Sequence, residues 1–518
     1  MSGQPELLGD GIAGGGLRKD TNWWGAFVIG LAGTILVTGI TPLVLTSWGA
    51  AGIPIMALIT VTGYLLCLLL AELSAMMPDR TGGSPTYAMV GYRDWGRGVA
   101  DHINGVTCWA YWLGWFPVAP LNMILASAYL TGLLDLPDWG TFHPVSTPIT
   151  GMTMVIAIVG IVGLFIPAYL GIRLGAGFAT VLGLLSMIPL TFIGLAGLFK
   201  ADWGNLSGFE HLDGSGFFSS FASHGWPLAM LAIAFPISWN VIAMEAAACY
   251  IGECSNPARD AKIAMNAEGA YGAFVYVMIP TSFVLVLGNA ALGDPSAGLV
   301  DPKTMFVTFA GKVFSSTGSA LNWTIGLMLI VALALSALNA IMGCSRGLHQ
   351  ISIDGQFPRV FARVNVHGVP SFAMGFTVVA SLLVVLLGGA AEIYTFSNVG
   401  YLGSFLPVLL AYYLLRRKHP EIARPVRLPG FFKWIALAMF ALYSVIWLVG
   451  GLVYASFPYD FNFDGQIDGD NRLYYFLGWV VIAAYVLFWW WRRVEDRRHG
   501  DEGVRPLSDV ESSYLHDK

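Results

Sequence analysis

The sequence is poor in charge. Aspartate, glutamate, lysine and arginine make up 11% of its 518 residues, against about 25% in soluble domains. That scarcity excludes an ordinary soluble domain, and no nucleic-acid partner is expected. Cysteine is also scarce. The five residues, at 67, 108, 249, 254 and 344, form no CxxC pair, so neither a metal centre nor a disulfide framework is indicated. No catalytic constellation stands out, because the nine histidines fall mostly at the ends of apolar runs or between them; enzyme activity is not expected. No selectivity-filter loop is visible, which argues against a channel. No stretch is long and polar enough for a soluble sensor domain, which argues against a receptor.

What is present is hydrocarbon. Hydrophobic residues make up 56% of the chain, and the runs 53–70, 152–167, 372–387 and 473–491 carry no charge. A span needs about 20 mostly apolar residues. Twelve candidates start near Trp24, Ile53, Gly98, Ile149, Gly175, Trp226, Asn266, Leu321, Pro370, Glu392, Phe431 and Leu473. In a bilayer every backbone amide needs an internal partner. Runs this long and uniformly apolar therefore predict an all-helical integral membrane protein. The first span follows a glycine-rich leader and is followed at once by others, unlike a signal peptide. With twelve spans both termini share one side. Of the 27 lysines and arginines, all but Lys200, Lys303, Lys312 and Arg472 fall on that side. The excess of positive charge predicts that it is cytoplasmic.

Two spans are irregular. Span one, residues 24–46, contains Gly30, Gly33, Gly39 and Pro42 among threonines; span six, residues 226–251, contains Pro236, Ser238 and Asn240. Gly30-x-x-Gly33 also reads as a close-packing face. Irregular helices at matching positions of two halves mark the binding site of inverted-repeat transporters. Five spans per half force opposite orientations. The expected organisation is a leader over 1–22 and a ten-helix core over 23–415, with repeats at 23–199 and 226–415. A basic loop with the last two spans follows over 416–493, then a tail over 494–518.

Four segments carry a resemblance. They are AELSAMMPDRTGGSPTYA (71–88), GECSNPARDAKIA (252–264), CSRGLHQISIDGQFPRVFARVNVHGVP (344–370) and RRKHPEIARPVRLPG (416–430). In this order and at these span boundaries they resemble the amino acid–polyamine–organocation transporter superfamily. The resemblance implies a five-plus-five inverted repeat with broken helices one and six, two additional helices, and alternating-access transport of a small amine-bearing solute. Such transporters usually carry G-[ST]-G-[IV] at the first break. Here residues 36–40 read LVTGI, so Val37 stands where the first glycine is usual, with Thr38 and Gly39 following. Backbone N–H groups at such a turn attract a carboxylate.

Glu245 is the acid inside span six, eleven residues before Asn256, where similar transporters often place one. An unpaired carboxylate in mid-bilayer costs about 3 kcal/mol on insertion scales. It is tolerated when protonated, hydrated in a cavity, or paired with a cationic substrate. Burial favours the neutral form and a nearby cation the charged form, an opposition that proton–substrate exchange requires. Trp239, six positions earlier, matches the aromatic residue that covers substrate in similar transporters, and its face attracts cations. Asn240 offers donors and acceptors to irregular backbone. Trp115 and Asn122 in span three lie near positions that face substrate in such proteins. For each of these residues the competing role is helix packing or an interhelical bond. Glu72 reads as a partner of loop arginines. Sodium coupling would need a hydroxyl such as Ser336, and the lysine that replaces sodium in some relatives is missing from residues 174–199.

The loop DFNFDGQIDGDN (460–471) matches the opening of a calcium loop, with Asp460, Asn462, Asp464 and Asp468 as oxygen donors. Position 12, normally a bidentate glutamate, is Asn471. A weak calcium site and a solvated acidic turn are the two readings. No cofactor is otherwise required. The expectation is a plasma-membrane secondary transporter for an amino acid, coupled to protons or a counter-substrate. A polyamine or cationic-amine transporter of the same fold is the close alternative. A channel or non-transporting sensor is the alternative of another class.

Overall fold

The computed structural model of the chain describes residues 16–137, 139–142, 149–207, 225–316, 318–386, 390–459 and 469–499. Among them, ten helical segments are long and apolar enough to cross a membrane. The first, Trp23–Met76, has 54 residues and would measure about 80 Å as one rod, more than twice the hydrocarbon thickness. It divides at Gly49–Ala51, where Gly49 takes φ 49°, and so holds spans one and two. The helix Ser371–Val385 has 15 residues and falls at span nine. Every span read from the sequence thus coincides with a helix. The chain is an all-α, multi-pass integral membrane protein. The described strands are two antiparallel pairs of two residues each, Thr141–Phe142 with Ile149–Thr150 and Pro458–Tyr459 with Gly469–Asp470.

Local chemistry fixes the helix starts. Asn22 accepts the N–H groups of Trp24 and Gly25 and caps Trp23–Thr34. Asn256 accepts from Arg259 N–H and Pro257 follows as the first residue of Pro257–Leu287, so the Asn-Pro of the second motif is a helix start. The first described residues meet the loop after span six, since Thr21 pairs with Cys254 and Ser255 donates to the Thr21 carbonyl. Arg492 near the other end donates to the carbonyls of Ser352 and Phe357. Both described ends therefore sit at one face, with the arginine-rich loops.

The two irregular spans depart from the expected positions. Span one is interrupted at Ile35–Leu36, between the helices Trp23–Thr34 and Val37–Trp48. Span six runs as an α-helix through Asn240 to Ile242 and then tightens into a 3-10 helix over Ala243–Glu253. The expected opening at Pro236–Asn240 is corrected to a tightening that begins at Ala243. Nor does the backbone unwind at span one. Leu36, Thr38 and Gly39 N–H bond the carbonyls three residues back, at 3.3, 3.1 and 3.0 Å. In hydrocarbon an unpaired amide is costly, so the chain exchanges α for tighter hydrogen bonding instead of opening.

Candidate functional site

Just before its interruption, span one touches the tight segment of span six. A Cβ on Gly33 would lie 1.8 Å from the Ala243 carbonyl oxygen, and one on Gly30 would lie 2.7 Å from the Ala247 nitrogen. Only glycine allows this approach. Tyr276, from Pro257–Leu287, donates toward the Gly33 and Asn240 carbonyls at 3.0 and 2.7 Å and ties the crossing together.

Glu245 sits just past this crossing, fully buried. Its Oε1 accepts the hydroxyls of Tyr111, at 2.7 Å, and Tyr401, at 3.1 Å. Its Oε2 has no protein partner. Trp115 stands edge-on to Tyr401 with ring centroids 5.7 Å apart, and its indole N–H is likewise unpaired. Tyr401 thus joins Glu245 to Trp115, and the polar groups of Ser84 and Trp115 both lie close to the carboxylate. Among the described residues no cation pairs with Glu245.

Trp239 and Asn240 form a second group through Tyr394 of the helix Ala390–Lys418. The Trp239 and Tyr394 rings meet edge to face at 4.6 Å, and Tyr394 Oη lies 3.4 Å from Asn240 Oδ1. The same hydroxyl would lie 3.6 Å from a Cβ on Gly39. Trp239 Nε1 donates to the Gly114 carbonyl and Asn240 Nδ2 to that of Pro236. Thr38 Oγ1 donates to the Ile35 carbonyl. Gly39, Trp239 and Asn240 are thus brought together; Val37 is buried without a described polar contact. Asn122 is buried in the separate helix Val118–Leu134 with its Nδ2 unpaired, and among the described residues no hydrogen bond joins it to the others. Ser336 is buried with an unpaired hydroxyl. Asp460, Asn462, Asp464 and Asp468 lie outside the described residues.

At the arginine-rich face the acids are paired. Arg346 donates through Nε and Nη2 to both oxygens of Glu253, both side chains being fully buried. Its guanidinium also covers the Tyr250 ring. Arg80 pairs with Asp354 at 2.5 Å, and Asn104 and Gln350 complete the carboxylate's hydrogen bonds. Glu72 binds Arg416, Arg424, Tyr412 and the Leu428 N–H, the arginine partnership expected of it. Gly82 and Gly83, at φ 87° and 78°, let the loop lie against Gly347 and Cys249. At the exposed rim, His419 hydrogen-bonds Asp94 at 2.9 Å and holds its carboxyl below the usual carboxylate range. The four sequence segments that looked like separate motifs are one cluster in space.

That convergence agrees with comparison to known proteins. Residues 22–485 match the family described as amino acid permease. The chain belongs to the amino acid permease family. L-asparagine permease 1 of Mycobacterium tuberculosis is 25% identical over 310 residues, 58% of this chain and 59% of that protein. The lysine-specific permease LysP of Escherichia coli is 25% identical over 374 residues, 68% and 69% of the two chains. The chain thus spans about 59% of the length of the asparagine permease it matches.

Reasoning from sequence missed several residues of this permease-family chain. Glu268 is a second buried acid beside the crossing. Its signal was available, because an acid eleven residues into an apolar helix lies about 16 Å along it. Tyr111, Tyr276, Tyr394 and Tyr401 gave no signal, since tyrosine in a span is equally a packing residue.

Proposed function

We propose that the chain is a secondary active transporter that carries an amino acid across the cell membrane by alternating access, with both termini cytoplasmic and with Glu245 exchanging a proton during the cycle. The observation that carries this reading is the Glu245 carboxylate: fully buried, held by two tyrosine hydroxyls on one oxygen, and without a partner on the other. A buried carboxylate with no cation is sustained by a proton or by a positively charged guest. A substrate ammonium and a proton therefore compete for it. Trp239 and Tyr394 form the aromatic cover, Asn240 and the helix start Val37–Thr38–Gly39 line the side next to Tyr394, and Trp115 closes the side next to Tyr401.

One observation favours the cationic-amine reading. The amides of Thr38 and Gly39 are occupied by the Ile35 and Leu36 carbonyls, which leaves less hydrogen-bonding capacity for a substrate carboxylate. Uptake into proteoliposomes, with labelled L-asparagine and L-lysine competed by amino acids and by their decarboxylated amines, separates the two. Competition by amino acids alone supports amino acid transport; competition by amines alone replaces the substrate class. Glu245→Gln is expected to flatten the pH dependence of uptake, and a profile identical to wild type removes the proton role. Trp239→Ala is expected to weaken binding without loss of folded protein.

A further inference from the structure

We propose that Glu268 is a second proton-binding residue, and that its charge state controls how firmly the tight segment of span six is held against span one. The proposal rests on the transporter reading above but not on the role given there to Glu245.

Glu268 lies within the helix Pro257–Leu287 and is fully buried. Its Oε2 accepts the Ala247 N–H at 3.0 Å, inside the segment Ala243–Glu253. Its Oε1 has no protein partner. A Cβ added to Gly30 would lie 2.5 and 2.6 Å from the two carboxylate oxygens. The carboxylate therefore occupies the wedge between both irregular helices, and the absence of a side chain at Gly30 makes the room. The surrounding elements bring no cation to it among the described residues. Span one contributes Gly30, and the tight segment contributes Ala247 and the charge of Glu245. The helix Gly52–Met76 contributes Cys67, which gives its thiol hydrogen to the Met244 carbonyl, and Tyr64, packed at Gly269.

The free oxygen is where a proton would reside. Adding it leaves Oε2 to accept from Ala247 but turns a charge-assisted bond into a neutral one, roughly half as strong. The ionised acid thus grips the tight segment, and the protonated acid loosens it. Glu245 and Glu268 repel when both are ionised, so a proton arriving at one eases ionisation of the other.

Glu268→Gln separates this role from a merely structural one, because the amide oxygen can still accept from Ala247 while the proton is lost. Infrared difference spectra of the purified protein in nanodiscs, recorded on raising pH without substrate, are expected to show two titrating buried carboxylic acids. Glu268→Gln should lose one band and Glu245→Gln the other. A Glu268→Gln spectrum identical to wild type overturns the proposal. A Glu245→Gln spectrum identical to wild type overturns only the Glu245 reading. Hydrogen exchange of peptides over 243–253 in the wild-type protein is a check that needs no variant at Glu268. After correction for intrinsic rates, protection is expected to fall several-fold on acidification; protection independent of pH overturns the proposal.

Discussion

Two groups of buried acids in the described residues invite comparison. Glu72, Glu253 and Asp354, at the arginine-rich face, are each closed by guanidinium groups and by further hydrogen bonds. Glu245 and Glu268, at the crossing of spans one and six, have neutral hydrogen-bond donors and one free oxygen each. Burial is equally complete for Glu253, Glu245 and Glu268, so depth does not separate them. Partnership does. An acid fixed by arginine has no reason to change charge, whereas an acid held by tyrosine or amide can be neutral or ionised at modest cost. The first kind fastens helices together; the second can bind and release.

That contrast is broken most forcibly at the paired end. Arg346→Ala leaves Glu253 buried without a counter-charge, and thermal unfolding in detergent should report a loss of about 3–5 kcal/mol. Combining Glu253→Gln with Arg346→Met removes both charges and should recover most of that loss. If the double variant is as unstable as the single, charge pairing is not what holds this face. A smaller effect is expected at the crossing. Gly33→Ala drives a methyl into the Ala243 carbonyl and should cost about 1–3 kcal/mol. Gly39→Ala, with its nearest neighbour at 3.6 Å, should unfold like wild type. Next comes Tyr401→Phe, which removes one of the two hydroxyls on Glu245. It should change the pH profile of uptake with little change in thermal stability, and a loss of stability alone would assign Tyr401 to packing. Least affected should be Lys418→Ala. Lys418 and Asp94 meet at 3.6 Å with 44% and 36% of their side chains exposed, and screened pairs of this kind contribute little. A large loss there would erase the distinction between buried and exposed pairing.

The helical architecture was legible because hydrocarbon imposes one strict demand, and apolar length answers it. The arginine-rich face was legible as a charge excess but not as a set of bonds. Arg80 and Arg346 entered only as part of that excess, although the structure buries both. Glu72 was the exception, since its place near the cytoplasmic end of span two put it at the level of the loop arginines. The irregular helices were located within a few residues. Glycine and proline mark where a helix is weakened, whereas the observed change at Ala243 follows from which amides find other acceptors. Glu245 was conspicuous in an otherwise apolar span. Glu268 was less so, because Arg259, Asp260 and Lys262 precede it in the same helix.

The glycine contacts at Gly30 and Gly33 carry a consequence for motion. At Gly33 backbone lies on backbone, whereas beside Gly30 the Glu268 carboxylate fills the space between the two rods. A contact this close offers a fixed pivot, so any turning of the tight segment against span one would hinge at Gly33 and open first at the wedge beside Gly30.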